Sequence, residues 1–317
     1  MVISRAVVLC AVVLVAGCDA GAVGQAPRDA AAINQRIAAH VKDHQDGWID
    51  LRRDLHRHPE LSGQEERTAG IVAARLKALG LSVQTGVGGH GVVGILAGGR
   101  PGPLVAYRAD MDAVRSTQPD PATAMASTVP GVRHICGHDV HVAVGLGLAS
   151  ALASVRQELP GRVMFIFQPA EERATGARAM LDAGLFAKET PAAVFGVHAS
   201  PLEVGTFTSK AGQMMFPNQV APGVTNDAAL YASSRDALVA VMGKAAFTEL
   251  QQPPAGFSED FGEFQKLAPG VFFFIGLSHT GNGIRAMPHS ADFNVDEAAI
   301  GHTVRAMAAV VVAALFR

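Results

Sequence analysis

The sequence predicts an α/β fold, a three-layer sandwich in which a mostly parallel central sheet is flanked by helices. Three observations predict it. Short apolar runs bounded by Gly and Pro alternate with longer helical patterns, which is the order of a layered α/β domain. The chain of 317 residues is 49% hydrophobic and 17% charged, enough to bury a core and unlike a disordered chain. The polar residues that stand out follow directly after the apolar runs, and in open α/β sheets ligands bind beyond the carboxyl ends of the strands.

Taken in order, residues 30–56 carry a mostly helical pattern, broken at His58-Pro59-Glu60-Leu61, and residues 64–79 resume a helix that Gly80 closes. Residues 92–97 and 104–108 read as buried strands. A loop rich in Pro and Thr at 116–130 leads to Cys136, and residues 141–155 form an Ala/Leu/Gly helix. Strand 163–167, a helix near 177–183, and strands 193–197 and 204–209 follow. Helix 227–242 and strand 271–277 come next. The last helix, 296–316, opens on acidic residues suited to a helix N-terminus. Its apolar end, 308–316, is shorter than the ~18–20 residues that span a bilayer and reads as a core helix.

The N-terminus reads as a processing signal. Arg5 gives a positive n-region and residues 6–15 an apolar h-region. Leu14-Val15-Ala16-Gly17-Cys18 resembles a bacterial lipobox, which implies lipidation of Cys18; an ordinary signal peptide cut near Ala20 is the alternative. The expected organisation is a lipoprotein signal peptide at 1–17, a tether at 18–29 rich in Ala, Gly and Pro, and one catalytic domain at 30–317. Asp19 resembles an inner-membrane retention signal. The expected location is therefore the cell envelope, on the periplasmic face of the inner membrane in a Gram-negative cell, with membrane contact through the lipid only. A formal net charge of −2 without a basic stripe argues against nucleic acid as a partner.

With Cys10 in the cleaved segment and Cys18 lipidated, Cys136 is the one thiol left in the folded domain. It stands in Cys136-Gly137-His138, where Gly permits a tight turn that lets thiol and imidazole face one ion. A helix starting just after would favour the thiolate through its N-terminal dipole. Burial in the core is the alternative for this thiol. Asp110 and Asp112, Glu171 and Glu172, and His198 each follow a strand, so three strands bring acids and imidazoles to one edge. His, Cys and carboxylate together suit Zn2+ or a similar divalent ion.

Several stretches carry a resemblance. They are His56-Arg57-His58-Pro59-Glu60-Leu61, Arg108-Ala109-Asp110-Met111-Asp112-Ala113, His134-Ile135-Cys136-Gly137-His138-Asp139-Val140-His141 and Gln168-Pro169-Ala170-Glu171-Glu172. Gly196-Val197-His198, Ser258-Glu259-Asp260-Phe261 and Met287-Pro288-His289-Ser290-Ala291-Asp292-Phe293 complete the set. In this order they resemble the amidohydrolase branch of the aminoacylase/carboxypeptidase zinc metallopeptidase superfamily, which includes hippurate hydrolases and auxin-conjugate hydrolases. The resemblance implies a zinc-exopeptidase-like fold and two divalent metal ions, Zn2+ first, with Mn2+, Co2+ or Ni2+ as alternatives. It implies Cys136 as the bridging ligand, His138, Glu172, His198 and His289 as the others, Glu171 as general base, and Asp112 as an acid beside the metals. Asp110 and His141 match motif positions without an assigned role.

The reaction implied is cleavage of the amide bond of N-acyl amino acids or short peptides by a water that two metal ions activate. A non-catalytic, membrane-tethered binding protein of the same fold is the alternative. The sequence departs from the family at residues 213–217, where relatives carry a lid and dimerisation domain. A monomer is the expectation that follows. The lid also supplies a transition-state contact in relatives, for which His279, Asn282 and Arg285 are the candidates here.

Overall fold

The computed structural model describes residues 26–118, 125–252, 254 and 257–317, so Cys18 and the lipobox-like signal lie outside the described residues. Helices α1 (Ala26–Arg57) and α2 (Glu66–Ala78) lead into strands β1 (Ser82–Val87), β2 (Gly91–Ala97) and β3 (Arg100–Asp110). A short ladder of β4 (Val114–Arg115) and β5 (Val132–Arg133) precedes α3 (His138–Ser154). Then come β6 (Pro160–Gln168), α4 (Gly176–Asp182), β7 (Ala193–Glu203) and β8 (Phe207–Ser209). A hairpin of β9 (Gly212–Met215) and β10 (Val224–Asn226) leads to α5 (Ala228–Met242), β11 (Phe247–Glu249), α6 (Gly262–Gln265), β12 (Gly270–Ser278) and α7 (Ala298–Leu315).

The main sheet has the order β1-β2-β6-β3-β7-β12-β8-β11. Its centre, β6-β3-β7-β12, is parallel, while β1, β2 and β8 pair antiparallel with their inner neighbours. Because side chains alternate across a strand, each central strand splits its apolar residues between two cores. Tyr107, Phe165, Phe195 and Phe273 belong to the core shared with α1, α3 and α7. Ala106, Ile166, Val194 and Phe272 belong to the core shared with α4, α6 and the hairpin. That division is the three-layer sandwich.

Helix α3 contains Gly145 and Gly147, which weaken a helix by roughly 1 kcal/mol each relative to Ala. Close packing explains them: a Cβ at Gly145 would lie 3.0 Å from the Phe167 ring, and one at Gly147 3.0 Å from Trp48 of α1. Helix α7 is long and apolar enough to cross a membrane by length and composition, yet Val304, Met307 and Val311 are fully buried within the fold.

Several elements differ from the sequence expectation. The edge strand β1, the hairpin β9–β10 and the short β11 fall where no strand was expected. Residues 213–217 thus lie in β9 and the turn after it. Strand β7 continues to Glu203, so His198 sits inside a strand rather than after one. Helix α3 starts at His138, three residues earlier than its apolar pattern suggested.

Candidate metal centre

Three adjacent parallel strands, β6, β3 and β7, end at the same edge, and they bring together residues far apart in sequence. Asp110 ends β3, Glu171 and Glu172 follow β6, and His198 lies midway along β7, which runs on to Glu203. Cys136 and His138 enter from the start of α3. Gly137 between them has φ 93°, a left-handed conformation that a side chain would strain, and this turn allows both neighbours to face inward.

Cys136 Sγ lies 3.3 Å from His198 Nε2. His198 Nδ1–H donates to the Ala199 carbonyl at 2.8 Å, which leaves Nε2 as the free nitrogen. His138 Nδ1–H donates to the Asp112 carbonyl at 2.8 Å, and its Nε2 is buried with no hydrogen-bond partner among the described residues. That nitrogen lies 3.7 Å from Glu171 and 3.9 Å from Glu172. Glu172 Oε1 is likewise buried and unpaired, 3.5 Å from His289 Nε2. His289 is half-exposed, adopts φ 62° and is held by its backbone N–H on the Ile135 carbonyl at 2.7 Å.

These atoms fit two ions. Cys136, His138 and His198 form one group whose donor atoms lie within 4.8 Å of one another, and Cys136, Glu172 and His289 form another. Cys136 is common to both, the position of a bridging ligand. One sulfur, three imidazoles and a carboxylate are the donors that Zn2+ and similar ions prefer. Buried polar atoms without partners are costly, and one ion in each group would satisfy His138 Nε2 in the first and Glu172 Oε1 in the second.

A third grouping, Asp110, His138 and His141, has similar spacing. Two of its three members, Asp110 and His141, are already committed. Asp110 is bound by Arg108 at 2.6 Å and by His141 Nδ1 at 2.6 Å, and His141 Nε2 accepts from Ala199 N–H at 2.9 Å.

Asp112 organises the segment that carries Glu171 and Glu172. Its Oδ1 accepts from Glu171 N–H at 3.1 Å, and its Oδ2 accepts from Glu172 N–H at 3.0 Å and Ser62 Oγ–H at 2.6 Å. Glu65, fully buried, accepts from Ala170 N–H at 2.8 Å and secures the same loop. Burial, and then the neighbouring Glu259, hold the Glu171 carboxyl well above the usual carboxylate range. For Cys136 the expected effect of the α3 dipole is overridden: burial pushes the thiol well above its ordinary value. A metal ion held here would supply the positive charge that a buried thiolate needs.

A cavity of about 400 Å³ opens onto this cluster, lined by Cys136, Glu171, Glu172, His198 and His289 together with Phe257, Ser258, Met287 and Pro288. The first part of the loop after β12, residues 279–285, does not line it. His279 Nδ1 is bound to Asp296 at 2.7 Å, Asn282 lies against His279 at 3.2 Å, and neither they nor Arg285 line the cavity. The reason is local: a His279–Ile284 bridge folds the loop on itself, and Thr280 is tied to Glu203. Sequence reasoning missed Ser62, Glu65 and the cavity wall. Ser258 stood in a recognised stretch, but nothing in that stretch marks a side chain as lining a cavity.

An α/β sandwich with acids, imidazoles and a buried thiol gathered at the strand ends defines a metal-dependent hydrolase-type scaffold. Residues 106–313 match the Peptidase family M20/M25/M40, and the chain belongs to that family. Among its relatives, Probable hydrolase sll0100 of Synechocystis sp. is 47% identical over 154 residues, 48% of this chain and 38% of that protein. N-acetylcysteine deacetylase of Bacillus subtilis is 43% identical over 169 residues, 53% of this chain and 44% of that protein. The matched stretch thus spans less than half the length of either relative. Among solved structures, the Bacillus subtilis YXEP protein, described as a dinuclear metal binding peptidase from the M20 family, superposes with a TM-score of 0.76 at 26% identity. That similarity covers 86% of this chain and 99% of that one.

Proposed function

We propose that this chain hydrolyses the amide bond of N-acyl amino acids or short peptides at a two-metal centre. The observation that carries the reading is a free buried carboxylate, Glu171, beside a ligand set that shares Cys136. When bound, two divalent ions would polarise the scissile carbonyl and make water acidic enough to lose a proton near neutral pH. Cys136, His138, Glu172, His198 and His289 would hold them, with Zn2+ matching the donors best. Glu171 would then accept the proton of the attacking water and pass it to the leaving nitrogen. Phe257, which lies edge-on to His198 at 6.0 Å, forms with Met287 and Pro288 an apolar wall suited to an acyl chain or apolar side chain.

A second reading, a binding protein that keeps the fold and the ions without turnover, draws support from residues 279–285 after β12, whose polar side chains His279, Asn282 and Arg285 do not line the cavity. Among the described residues, Ser258 is the one lining side chain outside the proposed ligands and base that can donate a hydrogen bond. The two readings separate in one assay: free amine is measured after the metal-loaded protein is incubated with a panel of N-acyl amino acids and dipeptides. Release that a chelator abolishes and added metal restores is the expected result. A fully loaded protein that releases nothing from any member would favour the binding protein.

A further inference from the structure

Asp110 and His141 are fully buried, lie beside the proposed ligands His138 and His198, and take no part in the chemistry described above. Their hydrogen bonds form a directed series. Gln168 Oε1 accepts from Arg108 Nε–H at 2.8 Å, and Glu259 and Asp260 hold the rest of the guanidinium at 2.8 and 3.1 Å. Arg108 binds Asp110 Oδ2 at 2.6 Å, and Asp110 Oδ1 accepts from His141 Nδ1–H at 2.6 Å. His141 Nε2 in turn accepts the backbone N–H of Ala199 at 2.9 Å. An imidazole that accepts a backbone N–H on one nitrogen carries its proton on the other, so Asp110 fixes a single neutral tautomer.

Ala199 is the residue after His198, and its carbonyl accepts from His198 Nδ1–H. The two peptide groups that flank the Ala199 Cα are therefore both engaged: His141 holds the N–H of one, and the carbonyl of the other orients the His198 ring. We propose that Asp110 and His141 are positioning residues: by holding Ala199 N–H they set the backbone of β7 so that His198 Nε2 faces Cys136 Sγ. The role explains a costly arrangement. Without His141, Asp110 Oδ1 and Ala199 N–H would both be buried and unpaired, and the β7 backbone would be free to turn toward another acceptor. Supporting groups behind metal-binding histidines commonly tune affinity in this way.

The proposal rests on the reading of the site as a metal centre, and a Co2+ titration followed by absorption separates the two. Wild-type protein should bind two Co2+ with a thiolate charge-transfer band and d–d bands. His141→Leu, verified as folded by circular dichroism, should bind at least one Co2+ about tenfold or more weakly and show altered d–d bands. His141→Gln, whose amide offers both a donor and an acceptor, should recover much of that loss. If the leucine variant does not fold, His141→Asn decides, since its shorter amide reaches only one of the two partners: weakened uptake supports the role. Wild-type affinity and spectrum in whichever of these folds would overturn it. Failure of the wild-type protein to bind Co2+ would instead bring down the metal reading, and the positioning role with it.

Discussion

Asp112 receives the backbone N–H groups of both Glu171 and Glu172, so the two neighbouring acids are fixed in different places and are not interchangeable. Glu172 points its unpaired Oε1 toward His289 and His138. Glu171 lies against a different neighbourhood, Glu259 and Asp260, where burial and like charge keep its carboxyl ready to hold a proton. The roles should separate on substitution. Glu171→Gln should keep both ions and lower kcat by about 10²–10⁴-fold, because an amide cannot accept the proton. Glu172→Gln should lose metal, because it removes a charged donor. Metal content and turnover measured together test the pair. Full turnover in Glu171→Gln, or full metal content in Glu172→Gln, would reverse the assignment.

At the scale of elements, the loop between β6 and α4 is the most constrained segment of the site. Ala170 and Ala174 adopt φ 52° and 51°, conformations that non-glycine residues rarely take. The strain is held by hydrogen bonds: Glu65 to Ala170 N–H, and Asp260 to Ala177 N–H at 2.9 Å. Gly176 closes the turn, and a Cβ there would fall 1.6 Å from the Pro169 carbonyl oxygen. Gly176→Ala must therefore move the segment that carries both acids. It should cost about 1–3 kcal/mol in stability, as overpacking does, and weaken metal binding as well. Thermal denaturation and a metal titration check this, and a variant unchanged in both would show that the loop has slack it should not have.

The same elements show what a sequence alone reveals. The central strands were legible because both faces are buried, which makes β3, β6, β7 and β12 continuous apolar runs. Strand β1 was not, because Gln84, Thr85 and Gly86 face solvent at the sheet edge and its sequence lacks that signature. Glu171, Glu172 and Cys136 were visible as candidates because strand ends and a Cys-Gly-His turn are local features. The grip of His141 on Ala199 depends on how α3 docks across β7, and no local pattern encodes it. The same holds for His279, Asn282 and Arg285: their composition suggested a polar loop at the site, while the fold of that loop directs it elsewhere.

For the molecule as a whole, the sheet order places every proposed ligand at one end of the parallel core, on elements packed by two apolar layers. Rigid strands supply His198 and the support for Glu172, the start of α3 supplies Cys136 and His138, and the segment before α7 supplies His289. Among the proposed ligands only His289 is half-exposed, so the site is built from the core outward, with the Glu172–His289 group nearer solvent. The central claim is that Cys136 lies between two ions, and a metal count tests it most directly. Purified protein equilibrated with Zn2+ and freed of excess metal should contain two ions per chain by elemental analysis. Cys136→Ser, which replaces the shared thiolate with a neutral hydroxyl, should contain at most one. Fewer than two ions in the wild-type chain, or two retained by the serine variant, would contradict the account.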